Sequence, residues 1–469
     1  MSYKKHLFFI TLSILIPLAF QNSGFFWDNV TFGYKMGNHL FYNGLFNFHF
    51  PNEFDPGHPP FLAFILASSW KLFGKNLLVS HIALTPFIYG FFVQLFLFCK
   101  QFTKSKRQSY FAFLLVVLDP TISAQLVLIS PEVIQVFFFL LVVNNLHKNY
   151  ILKTLGLFFL AIVTYRSMML FAGIFLYEVV HHLWLSRHNL PSFFSKKTIL
   201  CYGFGAIPAF SYIFFRLSGK GWLQTHPDSP WESLWHFASF GEFLKNCIVL
   251  VHRYLDFGRI AIFIVLIGLL LFQRKIFLDK KNKKLLLLAF SSVFFVASIS
   301  LVAINPFGHR YFIVSYLIFA LVAFRGLSLL PRKRKKLVYG LLIASLVSGN
   351  LWVYPREISQ GWDASLAHVP YFELRQKAIQ YLDENNIPIH KTGTFFPNGG
   401  KIDKIDLSND SRAFLNFKAE EPYVFYSNVY NLSDGEISLI DANYKTIKVF
   451  RSGTVKIEIL QHKLKKPSQ

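Results

Sequence analysis

Apolar residues along this chain fall in long unbroken runs, not in the alternating or three-to-four spacing of a soluble fold. Runs of the length a bilayer demands, about 20 residues or fewer where neighbours shield the ends, occupy 6–21, 77–99, 109–124, 132–146, 150–165, 167–185, 198–216, 257–272, 285–303, 311–327 and 337–353. They predict a mainly α, polytopic protein with about eleven spans. The apolar segment 59–74, PPFLAFILASSWKLFG, reads as a short helix in the outer interface, because a span there would turn the later basic clusters outward. From 354 the pattern shortens. An amphipathic helix over 371–387 is followed by strand-like KTGTFF, PYVFYS, KTIKVF and TVKIEIL and a helix at 433–440. The expected organisation is a transmembrane region 1–353, with an interfacial outer loop at 21–74, and a small soluble α/β domain at 354–469.

Composition agrees with a membrane protein: 53% of residues are hydrophobic, 56 are Phe and only 16% are charged. The net charge of +23 does not imply nucleic acid. Its basic residues cluster between apolar runs, as KSKR at 104, QRKIFLDKKNKK at 273 and PRKRKK at 331, the pattern of cytoplasmic loops. The N-terminus, basic and then apolar without a small-residue cleavage site, reads as a retained signal anchor. These features place the N-terminus in the cytoplasm and the C-terminal domain outside, and the membrane expected is a bacterial inner (plasma) membrane. Cys99, Cys201 and Cys247 are an odd, scattered set that predicts no disulfide framework.

The acids then divide unevenly. Asp28, Glu53, Asp55, Asp119, Glu132, Asp228, Glu232, Glu242 and Asp256 fall on the outer side, leaving Glu178 and Asp279 near the inner. Because the positive-inside rule is nearly blind to acids, this clustering is a separate signal, and carboxylates near a membrane point to a functional surface. Asp28 follows the first span among aromatic residues, in GFFWDNVTFG. It admits two readings: a group poised at headgroup depth, or the cap of an interfacial helix beginning at Asn29. The turn EFDPGHPPF presents Asp55 and His58, and later outer corners carry Asp119, Glu132, Arg166, His309 and Arg310. Arg166 and Arg310 are cations where the rule disfavours them, so each needs an anionic partner. Asp119 before Pro120 also reads as a helix cap. Asp55 and Glu132 are weak candidates for a divalent metal ion, the one cofactor considered.

Taken in order, the acid after the first span, the aromatic outer loop, the HPPF turn leading into KLFG, the LDP and SPE corners and the late HRYF resemble the GT-C membrane glycosyltransferases. The similarity is to the protein O-mannosyltransferases and the bacterial aminoarabinose lipid A transferases, and it covers residues 1 to about 353. It implies inverting transfer of a sugar from a polyprenyl-phosphate donor to an acceptor hydroxyl or amine at the outer membrane face. Asp28 would be the catalytic base. His58, Arg310, Arg166 and His309 would bind the donor phosphate, with Asp55, Glu53, Asp119 and Glu132 as supporting acids. Two positions depart from the family pattern: Asn29 stands where relatives often carry a second acid, and Glu132 where they often carry Asp. The implied partners are the lipid-linked donor, membrane lipids, and a lipid, glycan or protein acceptor. Two other functions fit a polytopic chain, a transporter or flippase for a lipid-linked sugar and a non-catalytic envelope assembly protein. A carrier should show mid-membrane charges and internal repeats, and neither is evident here.

Overall fold

The computed structural model describes residues 3–185, 189–223, 226–228, 236–304 and 307–464; Glu232 lies outside them. The helices run α1 (Tyr3–Ala19), α2 (Met36–Asn43), α3 (Phe61–Phe73), α4 (Leu77–Ile82), α5 (Thr85–Phe102), α6 (Lys106–Val117), α7 (Pro120–Val127), α8 (Glu132–Asn145), α9 (Tyr150–Val163) and α10 (Tyr165–Val180). After these come α11 (Leu190–Phe193), α12 (Lys196–Lys220), α13 (Phe240–Leu255), α14 (Ile260–Phe272), α15 (Lys275–Leu278), α16 (Lys280–Val302), α17 (Ile313–Gly326) and α18 (Arg332–Ser348).

Every one of the eleven apolar runs is helical. Five helices are long and apolar enough to cross a membrane, or seven if each of two bent pairs counts as one span. The remaining runs form α1, α8, α9 and α18, of 14 to 17 residues. The chain is an integral membrane protein. The run 109–124 is not the single straight span that its hydropathy predicts, since α6 and α7 meet at 76°. Asp119 accounts for the break: its carboxylate accepts from the amides of Thr121 and Ile122, and Pro120, lacking an N–H, opens the new helix at no cost. A second bend, of 95°, joins α13 to α14. α13 falls outside the apolar runs that predict spans. The expected interfacial helix is α3, 13 residues long.

Beyond α18, helix α19 (Pro370–Glu384) packs on a mixed six-stranded sheet made of β1 (Thr392–Thr394), β2 (Gly400–Lys401), β3 (Ala413–Asn416), β4 (Tyr423–Ser427), β5 (Tyr444–Ser452) and β6 (Val455–His462), with α20 (Asp403–Asp406) and α21 (Asp434–Asn443) between strands. The strand order is β2-β3-β1-β4-β6-β5. β1 runs parallel to both β3 and β4, and β6 pairs antiparallel with β4 and β5. This unit is pressed onto the segment that follows α1: the Phe25 amide donates to the Ile405 carbonyl at 2.8 Å, and the Tyr34 hydroxyl donates to Asp403 at 2.8 Å. A Cβ on Gly24 would lie 2.2 Å from the Ile405 oxygen, so only glycine permits the approach.

Candidate functional site

Docking of the C-terminal unit on the first loop turns the chain sharply just before Asp28. Trp27 takes a left-handed φ of 51°, a conformation that a bulky residue adopts only when its surroundings hold it there. A π-helical turn over Val30–Lys35 follows, a rare geometry that is frequent at functional sites. The helix so begun has no side-chain cap, and the Asp28 carboxylate instead reaches across the molecule to Arg310.

Arg310 is a hub. Its buried guanidinium meets Asp28 through Nη2, Asp363 through Nη1, and Glu132 at 3.3 Å through Nε. Glu132 also holds Arg166 at 3.0 Å, and the Arg166 guanidinium lies 4.3 Å from the centre of the Tyr311 ring. Burial lifts the Asp363 carboxyl above its usual range against the pull of Arg310, with Asp28 and Glu132 adding to the rise.

This cluster forms one wall of a cavity of about 620 Å³, within the usual size range of small-ligand sites. Asp28, Glu53, His58, Arg166 and Arg310 all line it, so five of the residues singled out in the sequence share one space. His58 packs edge-on to Phe32 and against Tyr165, whose amide donates to its Nδ1 at 3.3 Å. Burial and then the nearby arginines 166, 310 and 216 hold its pKa well below the usual histidine value. At neutral pH its imidazole is uncharged, and it can meet an anion only by donating an N–H.

The cavity's cations divide into two kinds. Arg166 and Arg310 are neutralised by carboxylates, whereas Lys35 and Arg253 line the cavity and form no ion pair among the described residues. Burial lowers the Lys35 pKa, and Arg253 Nε is buried with no hydrogen-bond partner in the described residues. Sequence reasoning missed both. The signal was available, since the expected topology places both cations on the outer side, the criterion that picked out Arg166 and Arg310. Asp363 was also missed and has no such signal. Met169 on α10 and Val296 and Ile299 on α16 give the cavity an apolar flank.

The sequence candidates His309, Asp55 and Asp119 do not line this cavity. His309, placed on the donor phosphate by the resemblance, is buried and bonded through Nε2 to Asp256 at 2.7 Å, and Gly361 packs so tightly on it that an added Cβ would stand 2.5 Å from Nδ1. The His309 Nε2 is thus taken by Asp256, and the ring does not line the cavity. Asp55 accepts from Arg216 at 2.5 Å and from the Gly57 amide at 2.8 Å, fastening the Pro-rich turn to α12. Asp119 caps α7 and pairs with Arg259 at 3.2 Å, so the capping reading describes its contacts. Asp55 and Glu132 are thus both paired with arginine, in separate contacts. Among the described residues no group of three His, Cys, Asp or Glu is placed to hold an ion.

Buried neutral histidines make stability depend on pH. His58 and His368, the latter brought down to about 4 by burial, stay uncharged in the folded state. Below about pH 6.5 the unfolded chain takes up protons at these rings that the folded chain refuses, so stability falls as pH drops. The melting temperature of His368→Gln should therefore decline less than that of the wild type between pH 6.5 and pH 4; parallel declines would refute the assignment.

No known protein family matches the sequence, and no curated protein does. Among solved structures the chain is similar to ArnT from Cupriavidus metallidurans. The crystal structure of ArnT bound to undecaprenyl phosphate aligns with a TM-score of 0.52 and 8% identity over 98% of each chain. Its apo state aligns with a TM-score of 0.51 and 9% identity over 97% of each. The cryo-EM structure of arabinofuranosyltransferase AftD from Mycobacteria aligns more loosely, at 0.46 and 12% identity, over 98% of this chain and 40% of that one. At such identities the likeness is one of fold: the chain has the polytopic GT-C architecture that its motifs suggest.

Proposed function

We propose that this protein transfers a sugar from a polyprenyl-phosphate carrier to an acceptor at the outer face of a bacterial inner membrane, with inversion at the anomeric carbon. The reading rests on one juxtaposition. A single cavity holds an acid anchored through one oxygen, two cations that form no ion pair among the described residues, and an apolar flank suited to a hydrocarbon tail. The fold likeness supports it, because the similar ArnT structure holds undecaprenyl phosphate, a ligand of this class. The basic inner clusters support a cytoplasmic N-terminus and an outward C-terminal unit.

In this mechanism Asp28 is the general base. Its Oδ2 is fixed by Arg310, and Oδ1 is left to accept the proton of the acceptor hydroxyl or amine as that atom attacks the anomeric carbon. The bond from that carbon to the phosphate oxygen breaks, and the electron pair leaves with the polyprenyl phosphate. Lys35 and Arg253 stabilise the charge gained by the departing phosphate, and His58 adds a neutral N–H donor. Arg310, saturated by three carboxylates, orients Asp28 and does not clamp the phosphate. The lipid tail leaves along Met169, Val296 and Ile299.

Lys35→Gln and Arg253→Gln should each weaken binding of undecaprenyl phosphate about tenfold, the loss of one charge-assisted contact; unchanged affinity in both would overturn the phosphate assignment. The whole reading is tested by reconstituting the protein with a panel of labelled polyprenyl-phosphate sugars. Release of polyprenyl phosphate coupled to sugar transfer is expected for at least one donor. Facilitated movement of an intact donor across the bilayer, with no transfer, would make it a carrier.

A further inference from the structure

Next to the main cavity, on the C-terminal unit, is a second one of about 190 Å³. The two share Gln360 and Asn431 as a common partition. Four aromatic rings, Tyr354, Trp362, Tyr426 and Tyr430, line the smaller cavity. Among its polar groups are three side-chain amides, each fixed by one donated and one accepted hydrogen bond. Gln360 donates to the Trp352 carbonyl at 3.0 Å and accepts from the Tyr354 amide at 2.9 Å. Asn431 donates to the Gln360 carbonyl at 3.0 Å and accepts from the Gln360 amide at 3.1 Å. Asn428 donates to the Thr454 carbonyl at 2.9 Å and accepts from the Lys456 amide at 2.9 Å. A primary amide has two hydrogens and two lone pairs, so each keeps one of both in a set orientation.

The charges at this cavity are already spent. Arg356 is paired with Asp441, and Lys456 with Glu458 at 3.1 Å. The site therefore offers little to an anionic headgroup, and its polar amides offer little to an acyl chain. Ring faces beside oriented amides suit a sugar, whose C–H face lies on aromatic carbon while its hydroxyls each donate and accept. The main cavity continues this surface toward Asp28. There Trp27 and Phe396 meet edge to face at 5.7 Å. Phe396 is 52% exposed, although it is a large apolar ring. The indole N–H of Trp27 is buried without a partner among the described residues.

We infer that the acceptor is a saccharide, with its reacting residue on the Trp27–Phe396 surface and the adjoining residue in the cavity bounded by Gln360, Asn428 and Asn431. This deepens the glycosyltransferase reading and rests on it. The division of the site is direct: the membrane side of the main cavity takes the lipid phosphate, and the C-terminal side takes the glycan.

The test uses the full-length protein in nanodiscs and two separate binding measurements, one on an array of immobilised mono- and disaccharides and peptides, the other with undecaprenyl phosphate. Phe396→Ala removes an exposed ring, and Ile358→Trp fills the second cavity from a position that is 50% exposed, so neither change disturbs a packed core. The wild type should retain at least one class of saccharide. Each variant should retain it at least tenfold less while binding undecaprenyl phosphate as the wild type does. Retention of no saccharide, equal retention by wild type and variants, or selective retention of peptides would overturn the inference. Failure of the wild type to bind undecaprenyl phosphate would instead count against the glycosyltransferase reading.

Discussion

Arg310→Ala is expected to destabilise the folded protein by about 3–5 kcal/mol, the usual cost of leaving a buried charge partner uncompensated. The loss is large because one guanidinium serves Asp28, Glu132 and Asp363 together, and Arg310 is itself only 4% exposed. Arg310→Lys should recover little, since an ammonium cannot meet three carboxylates in the planar arrangement that guanidinium allows. Adding Glu132→Gln to Arg310→Ala removes one of the stranded charges and should restore part of the melting temperature. Thermal unfolding in detergent reads both effects. A variant Arg310→Ala that melts with the wild type would show that the hub is not what holds these acids in place.

Asp28→Asn should lower kcat by about 10²- to 10⁴-fold, the range for loss of a general base, and leave donor affinity unchanged. The substitution keeps the size of the side chain and a contact to Arg310 but takes away the proton acceptor. Arg310 keeps Glu132 and Asp363, so the wall of the cavity persists. An effect confined to KM would mean that Asp28 binds and does not react, and transfer at the wild-type rate would remove it from the mechanism.

The helical architecture was legible because a bilayer imposes a coarse rule, a long apolar run wherever the chain crosses; each of the eleven runs is helical, and five helices, or seven if each bent pair counts as one span, are long and apolar enough to cross. The bend at Asp119 was harder to see, since hydropathy averages over the break; the Asp-Pro pair that makes it reads from sequence only as a possible cap. In the C-terminal unit, alternation revealed β1, β4, β5 and β6. Strands β2 and β3, of two and four residues, are too short to show a period.

For the site, reasoning from charge and topology places residues at a depth but leaves open the direction in which they face. Topology read from charge expects Asp28, His58, Arg166, Arg310, Asp55, Asp119 and His309 together on the outer side, and of these Asp28, His58, Arg166 and Arg310 line one cavity. Asp55, Asp119 and His309 are turned toward Arg216, Arg259 and Asp256, each satisfied in a contact that supports the fold. Lys35 and Arg253 follow from the rule that found Arg310, applied to every outer cation. Asp363 depends on how the C-terminal unit docks beside Gly24, a tertiary event with no local pattern to announce it.

If the proposed reaction is right, one cavity beside Asp28 receives a lipid-linked phosphate with its tail against α16. The direct measurement is photo-cross-linking with a polyprenyl phosphate that carries a diazirine on its first isoprene units, followed by peptide mapping. The account predicts labelling of Met169 on α10 and of Val296 to Ile299 on α16, suppressed by excess undecaprenyl phosphate and reduced in Lys35→Gln and Arg253→Gln. Competable labelling confined to other helices, with these residues unmodified, would contradict it.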